Sequence, residues 1–246
     1  MITGGNRGLG RAFAEGLAES GATIFLVARN EKTLAETSEY LKMTYKISCD
    51  WAVADITDEG EVQNAVKNCM KKFGRIDILI NNAATDRVNV PPETTTLRQW
   101  REVIDTNLTG AFIVAKTVGK EMIKQKSGKI INIVSICGYI INTTVHAGSY
   151  DVSKHAVIAL TRALAVEWAK YNINVNAIAP GYFMTDPNRE ACSTIPGLYD
   201  SIANLCPLKR WGEPKELAGA VVFLSSCASD FMQGSVLIID GGTTIV

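Results

Sequence analysis

Tyr150 and Lys154 stand four residues apart in Ser149-Tyr150-Asp151-Val152-Ser153-Lys154. An apolar run, Ala156 to Leu160, follows them, and its spacing continues to Ala163, Leu164 and Val166. That periodicity predicts a long buried helix, and on a helix positions i and i+4 share a face. The phenol and the ammonium then point at the same space. A free phenol, with a pKa near ~10, is a poor acid–base catalyst at neutral pH. A neighbouring ammonium favours the phenolate and lowers that pKa, so the pair can exchange a proton with an alcohol or a carbonyl. Tyr-x-x-x-Lys by itself occurs often by chance, and the rest of the chain has to carry the reading.

Thr3-Gly4-x-x-x-Gly8-x-Gly10 lies where a first strand should hand over to a first helix. Glycines there permit a tight turn and let backbone N–H groups approach a pyrophosphate, whose charge the helix N-terminus stabilises. Gly4, Asn6, Arg7, Gly8, Leu9 and Gly10 are the candidate cofactor residues of this turn. The residue after the second strand separates the two nicotinamide dinucleotides: a carboxylate suits a ribose 2′-hydroxyl, arginine a 2′-phosphate. Here Val27-Ala28 is followed by Arg29, and Arg7 lies inside the glycine turn. Two guanidinium groups and no carboxylate favour NADP(H), with NAD(H) as the other possibility.

The elements that position these residues follow from apolar periodicity and turn signals. Strands are expected near 23–27, 48–54, 76–80, 129–134, 173–178 and 236–239. Helices are expected near 10–20, 31–42, 58–73, 97–124, 149–171 and 214–225. Most strands are continuous apolar runs separated by helices of ten or more residues, the pattern of a parallel sheet covered on both faces. Residues 181–212 read as a long irregular loop, and loops of that length are usually functional. Only Met1 and Ile2 precede Thr3, whereas a central strand typically has about five or six residues. The first strand is therefore expected to be truncated.

The chain of 246 residues is long enough for one domain with a real core, and 47% of its residues are hydrophobic. Lys+Arg and Asp+Glu both count 25, with no block of like charge. This favours neither a nucleic-acid partner nor a membrane surface. The six cysteines are scattered without a C-x-x-C pair, which suits reduced thiols in a cytoplasmic enzyme and no metal site. No signal peptide and no apolar run of the ~18 residues that span a bilayer is read.

With these pieces assembled, the whole chain resembles the short-chain dehydrogenases/reductases of the Tyr-x-x-x-Lys group. The resemblance rests on the glycine turn, Asn81-Asn82-Ala83-Ala84, Asn107 in Asp105-Thr106-Asn107, Ser135, Tyr150-x-x-x-Lys154 and Pro180-Gly181, in the family's order and at nearly its spacings. It implies a single doubly wound Rossmann α/β domain over 1–246, with a parallel sheet of about seven strands. The cofactor half would be about 1–135 and the catalytic and substrate half about 136–246. It implies hydride transfer between a nicotinamide dinucleotide and a secondary alcohol or ketone. Tyr150 would be the acid–base group, and Lys154 would tune it and hold the nicotinamide ribose. Ser135 would bond the substrate oxygen, and Asn107 would support a water linking Lys154 to solvent. Asp55 and Ile56 would contact the adenine, and Asn82, Ala83 and Ala84 would line the cofactor. Pro180, Gly181, Phe183 and Thr185 would hold the nicotinamide. A homotetramer is implied as well.

Two features depart from the family's pattern. Ala84 stands where glycine is usual, and the interval from Ser135 to Tyr150 is about two residues longer, within Tyr139 to Gly148. The stretches 179–185 and 207–214 look most like gluconate 5-dehydrogenases and related sugar-acid reductases, and 3-oxoacyl-thioester reductases carry similar ones. A non-catalytic dinucleotide-binding protein is a third reading, against which the intact Asn107, Ser135, Tyr150 and Lys154 argue. Arg87 and Asp86 lie where a polar substrate could meet them; His146 reads first as a solvated loop histidine and second as a substrate contact. His155, Trp100, Trp168 and Trp211 read as structural, and Cys137 as a bystander.

Overall fold

Strand β2, Ile24–Ala28, sends Phe25 and Val27 to one face of a sheet and Ile24 and Leu26 to the other, and all four are buried. A strand apolar on both faces needs cover on both, and this one has it. On one side α3 (Glu59–Phe73), α5 (Ala111–Gln125) and α6 (Gly148–Trp168) supply Val62, Val66, Val118, Met122 and Leu164. On the other, α1 (Gly8–Glu19), α2 (Glu31–Tyr45) and α9 (Lys215–Ser225) supply Phe13, Leu17, Leu34, Leu41, Leu217 and Val221. The computed structural model describes residues 1–86, 88–141 and 148–246.

The other strands are β1 (Ile2–Thr3), β3 (Cys49–Val53), β4 (Ile78–Asn81), β5 (Gly128–Ile133), β6 (Ile173–Pro180) and β7 (Val236–Ile239). All pairings are parallel, in the order β3-β2-β1-β4-β5-β6-β7. The chain runs outward from β1 through β2 to β3, then returns to place β4 on the other side of β1. That reversal is a topological switch point, where ligands bind beyond the carboxyl ends of the strands in open α/β sheets. Although β1 has only two residues, it holds the centre, pairing Ile2 with Leu26 and with Ile80. This is the single doubly wound Rossmann-type α/β domain expected.

Two expectations are corrected. The helical pattern 97–124 is not one helix. It runs as α4 (Leu97–Ile104), a π-turn (Asp105–Gly110) and α5. A π-turn inserts one extra residue, which rotates the helix face, and such turns gather at functional sites. Periodicity hides it because helix continues on both sides. The segment 181–212 is not irregular throughout either. It carries α7 (Asp186–Thr194) and α8 (Leu198–Leu205), joined at Gly197, whose φ of +74° suits glycine. Its prolines and mixed polarity masked two helices too short to show several periods.

Candidate active site

A cleft of about 770 Å³ opens over the carboxyl ends of β1, β2, β4 and β5. Its floor is the glycine turn. Gly4 takes φ +63°, and a Cβ there would lie 2.9 Å from Asn82 Nδ2. A Cβ on Gly10 would collide with the Gly4 carbonyl oxygen. Across the switch point, the backbone N–H groups of Asn82 and Ala83 donate to Thr3 Oγ1 at 2.9 and 3.0 Å. Asn82 Nδ2 donates to the Thr3 carbonyl at 2.9 Å. The end of β4 therefore clamps the turn in place. A bare backbone floor at the start of α1, with its N–H groups unencumbered by side chains, fits a pyrophosphate.

The expected cofactor residues Gly4, Asn6, Arg7, Gly8, Leu9, Gly10, Arg29, Asp55, Ile56, Asn82, Ala83, Ala84, Gly181, Phe183 and Thr185 all line this cleft, with Ser135 and Tyr150 at its inner end. Pro180, Asn107 and Lys154 stand behind the wall rather than in it. The residue after β2 is Arg29, as read from the sequence, and a carboxylate reaches it from beyond β3. The β2–β3 register pairs Ala28 with Val53, and this brings Asp55 Oδ2 to 3.6 Å from Arg29 Nη1. Burial alone would raise the Asp55 carboxyl. Hydrogen bonds from Thr57 N and Oγ1, with the Arg29 guanidinium beside them, outweigh burial and hold it below the ordinary carboxylate value.

At the inner end, α6 places Tyr150 and Lys154 one turn apart. Lys154 Nζ donates to the Ile133 carbonyl at 3.0 Å and lies 5.5 Å from the centre of the Tyr150 ring. Burial lowers the Lys154 pKa to about 8, against the opposing pull of Cys137 and Asp86. Asn107, in the π-turn, accepts from Thr85 N at 2.8 Å and donates to Ser153 Oγ at 3.1 Å. Ser153 Oγ in turn donates to the Tyr150 carbonyl at 2.7 Å. Ser135 follows β5 in an extended conformation, and its Oγ accepts from Cys137 N. Cys137 and Asp86 line the cleft. His155 Nδ1 contacts the Asp151 carbonyl, a local helix contact that leaves it outside the cleft. Arg87 and His146 lie outside the described residues.

Several lining residues carried no signal in the sequence reading. Asn30 and Thr33, at the start of α2, form the rim beside Arg29. Asn30 caps α2, its side chain accepting from Thr33 N, and is at the same time a wall of the site. Leu198 and Ile202, one turn apart on α8, face the inner end together with Trp211. Trp211 is structural too. Its Nε1 donates to the Tyr199 carbonyl at 3.1 Å, and its ring stacks on Tyr199 and meets Tyr182 edge-on. It hangs α8 from the segment that follows β6.

A Rossmann sheet with a glycine-floored cleft and a Tyr–Lys pair, the tyrosine in its wall and the lysine buried behind it, defines a dinucleotide-dependent oxidoreductase. The family model described as "Enoyl-(Acyl carrier protein) reductase" matches residues 4–244. Among relatives, the chain is 40% identical to the 2-dehydro-3-deoxy-D-gluconate 5-dehydrogenase of Formosa agariphila, over 98% of this chain and 90% of that protein. It is 36% identical to the gluconate 5-dehydrogenase of Gluconobacter oxydans, over 100% of this chain and 94% of that one. The crystal structure of a gluconate 5-dehydrogenase from Burkholderia cenocepacia J2315 in complex with NADP and tartrate superposes with a TM-score of 0.92. It shares 37% identity and covers 100% of this chain and 94% of that chain. The chain belongs to the short-chain dehydrogenase/reductase family. It is an oxidoreductase that uses a nicotinamide dinucleotide to interconvert an alcohol and a ketone.

Proposed function

We propose that this enzyme reduces the ketone of a small, polar, sugar-acid-like substrate with NADPH, and catalyses the reverse oxidation with NADP. The observation that carries the reading is the inner end of the cleft, where Tyr150 and Lys154 share one helix face beside Ser135. The gluconate 5-dehydrogenases among its relatives supply the substrate class. When bound, the dinucleotide supplies or accepts the hydride. Tyr150 gives its hydroxyl proton to the carbonyl oxygen in reduction and takes it back in oxidation. Ser135 donates a hydrogen bond to the same oxygen. Lys154, fixed by Ile133 behind the cleft wall, favours the phenolate electrostatically and would reach the nicotinamide ribose from there. Asn107 holds the first turn of α6 through Ser153 and so fixes the Tyr150 backbone. Gly4, Gly8 and Gly10 expose the backbone to the pyrophosphate. Arg7 and Arg29 meet a 2′-phosphate, Asp55 and Ile56 the adenine, and Gly181, Phe183 and Thr185 the nicotinamide. The working form is a homotetramer in the cytoplasm. None of the six cysteines forms a disulfide, and no described helix is long and apolar enough to cross a membrane.

A second reading, reduction of a 3-oxoacyl thioester, is favoured by the apolar pair Leu198 and Ile202 on α8. The test is oxidation of NADPH and of NADH with 5-ketogluconate against an acetoacetyl thioester. Turnover of 5-ketogluconate with the higher kcat/KM supports the first reading, and the converse transfers the assignment to the thioester. Binding of NADPH without turnover on a broad ketone panel would reduce the protein to a dinucleotide-binding module.

A further inference from the structure

Arg7 and Arg29 come from different elements, one from the glycine turn and one from the end of β2. Both are exposed, long side chains. Two such guanidinium groups hold one phosphate well only if their backbones keep a fixed separation, since each side chain otherwise loses rotamer freedom without a matched geometry. The residues immediately beside them are tied together. Asn6, before Arg7, donates from Nδ2 to Thr33 Oγ1 at 2.7 Å. The Thr33 hydroxyl has a single proton, which goes to Asn30, after Arg29, at the carbonyl or at Oδ1, both at 3.2 Å. Thr33 N also donates to Asn30 Oδ1 at 3.0 Å. From one turn further along α2, Thr37 Oγ1 donates to the Asn6 carbonyl at 3.1 Å, and Thr37 is 2% exposed.

We infer that Asn6, Thr33 and Thr37 form a clasp between the glycine turn and α2 that sets the separation of Arg7 and Arg29, and thereby the preference for a 2′-phosphate. These are positioning residues, and the inference rests on the NADP(H) reading above. The clasp is separate from what holds the pyrophosphate floor. The Gly4 end of the turn is clamped by Asn82 and Thr3 on the opposite side. Loosening the clasp therefore moves the arginines relative to each other while the floor stays in place. NADH, which has no 2′-phosphate, should not register the change.

The experiment is direct titration of the enzyme with NADPH and with NADH, which needs no ketone substrate. The variants are Thr33→Val and Thr37→Val, with Thr33→Ser as the conservative control. Thr33 lines the cleft and could touch the cofactor itself, whereas Thr37 does not line it, so Thr37 isolates positioning from contact. Thr37→Val, which loses one hydrogen bond, should weaken NADPH about fivefold, and Thr33→Val, which loses the bonds to Asn6 and Asn30, at least as much, with NADH unchanged within about twofold in both. Thr33→Ser should retain the wild-type ratio. Thr37→Ala replaces Thr37→Val should the branched residue fail to fold. Equal weakening of both cofactors, or a shift confined to Thr33, overturns the clasp. If the wild type shows no preference for NADPH, the reading of the two arginines falls first. If it prefers NADPH and the ratio does not move in the Thr37 variants, the clasp alone falls.

Discussion

Lys154 Nζ donates to the carbonyl oxygen of Ile133 at 3.0 Å, and this ties the N-terminal third of α6 to the end of β5. The ammonium is buried, with its pKa lowered from 10.5 to about 8, chiefly by desolvation. Between those two values the unfolded chain keeps the proton that the folded chain has lost. The penalty for burying the charge is fully present below about pH 8 and is relieved as pH rises toward 10.5. Lys154→Met removes that dependence. Thermal unfolding of the two proteins should show wild type gaining on the variant across the interval, by at most roughly 3 kcal/mol. Parallel curves would show that Lys154 is not a buried cation. The variant should also lose turnover and bind the dinucleotide more weakly.

Tyr150→Phe removes the proposed proton donor and leaves the ring almost unchanged in shape. General acid–base catalysis typically contributes ~10²–10⁴-fold, so kcat should fall by at least that order while NADPH affinity and Tm hold. Retention of more than about a tenth of kcat on the best substrate would remove Tyr150 from the proton-transfer step.

Arg29 and Asp55 share the end of the cleft proposed for the adenosine. The Arg29 side chain is 76% exposed, so its ion pair with Asp55 contributes little to stability. Arg29→Asp should therefore leave Tm close to wild type. It should weaken NADPH by roughly 1.5–3 kcal/mol, the loss of a charge-assisted contact, and leave NADH far less affected. The readout is kcat/KM for each cofactor, and a wild type that prefers NADH refutes the assignment.

The proposed homotetramer can be tested on α5 and α6. Val166 is 79% exposed, Val152 49% and Phe112 42%, an unusual share of apolar surface for two neighbouring helices. A homotetramer that buries these faces is expected. Light scattering at micromolar concentration should give four chains, and Val166→Glu should lower the mass. A monomeric wild type would leave the exposed faces without this explanation.

What the sequence determined by itself was local. The four-residue spacing of Tyr150 and Lys154 settles their shared face, because helix period depends only on backbone geometry. The glycines of Gly4 to Gly10 announce a turn that side chains would block, and the apolar runs of β2 and β5 announce a sheet covered on both faces. The tertiary structure decided what depends on register and on partners distant in the chain. Asp55 meets Arg29 only because β2 and β3 pair Ala28 with Val53. Asn107 reaches Ser153 from a π-turn that apolar periodicity cannot register, since one inserted residue leaves helix on either side. Thr33 and Thr37 read as ordinary polar positions on α2 until the packing of α2 against the glycine turn brings them to Asn6. Hydrogen bonds between segments 27 and 31 residues apart leave no local pattern in a single chain, because neither partner's neighbours constrain the other until the sheet has formed.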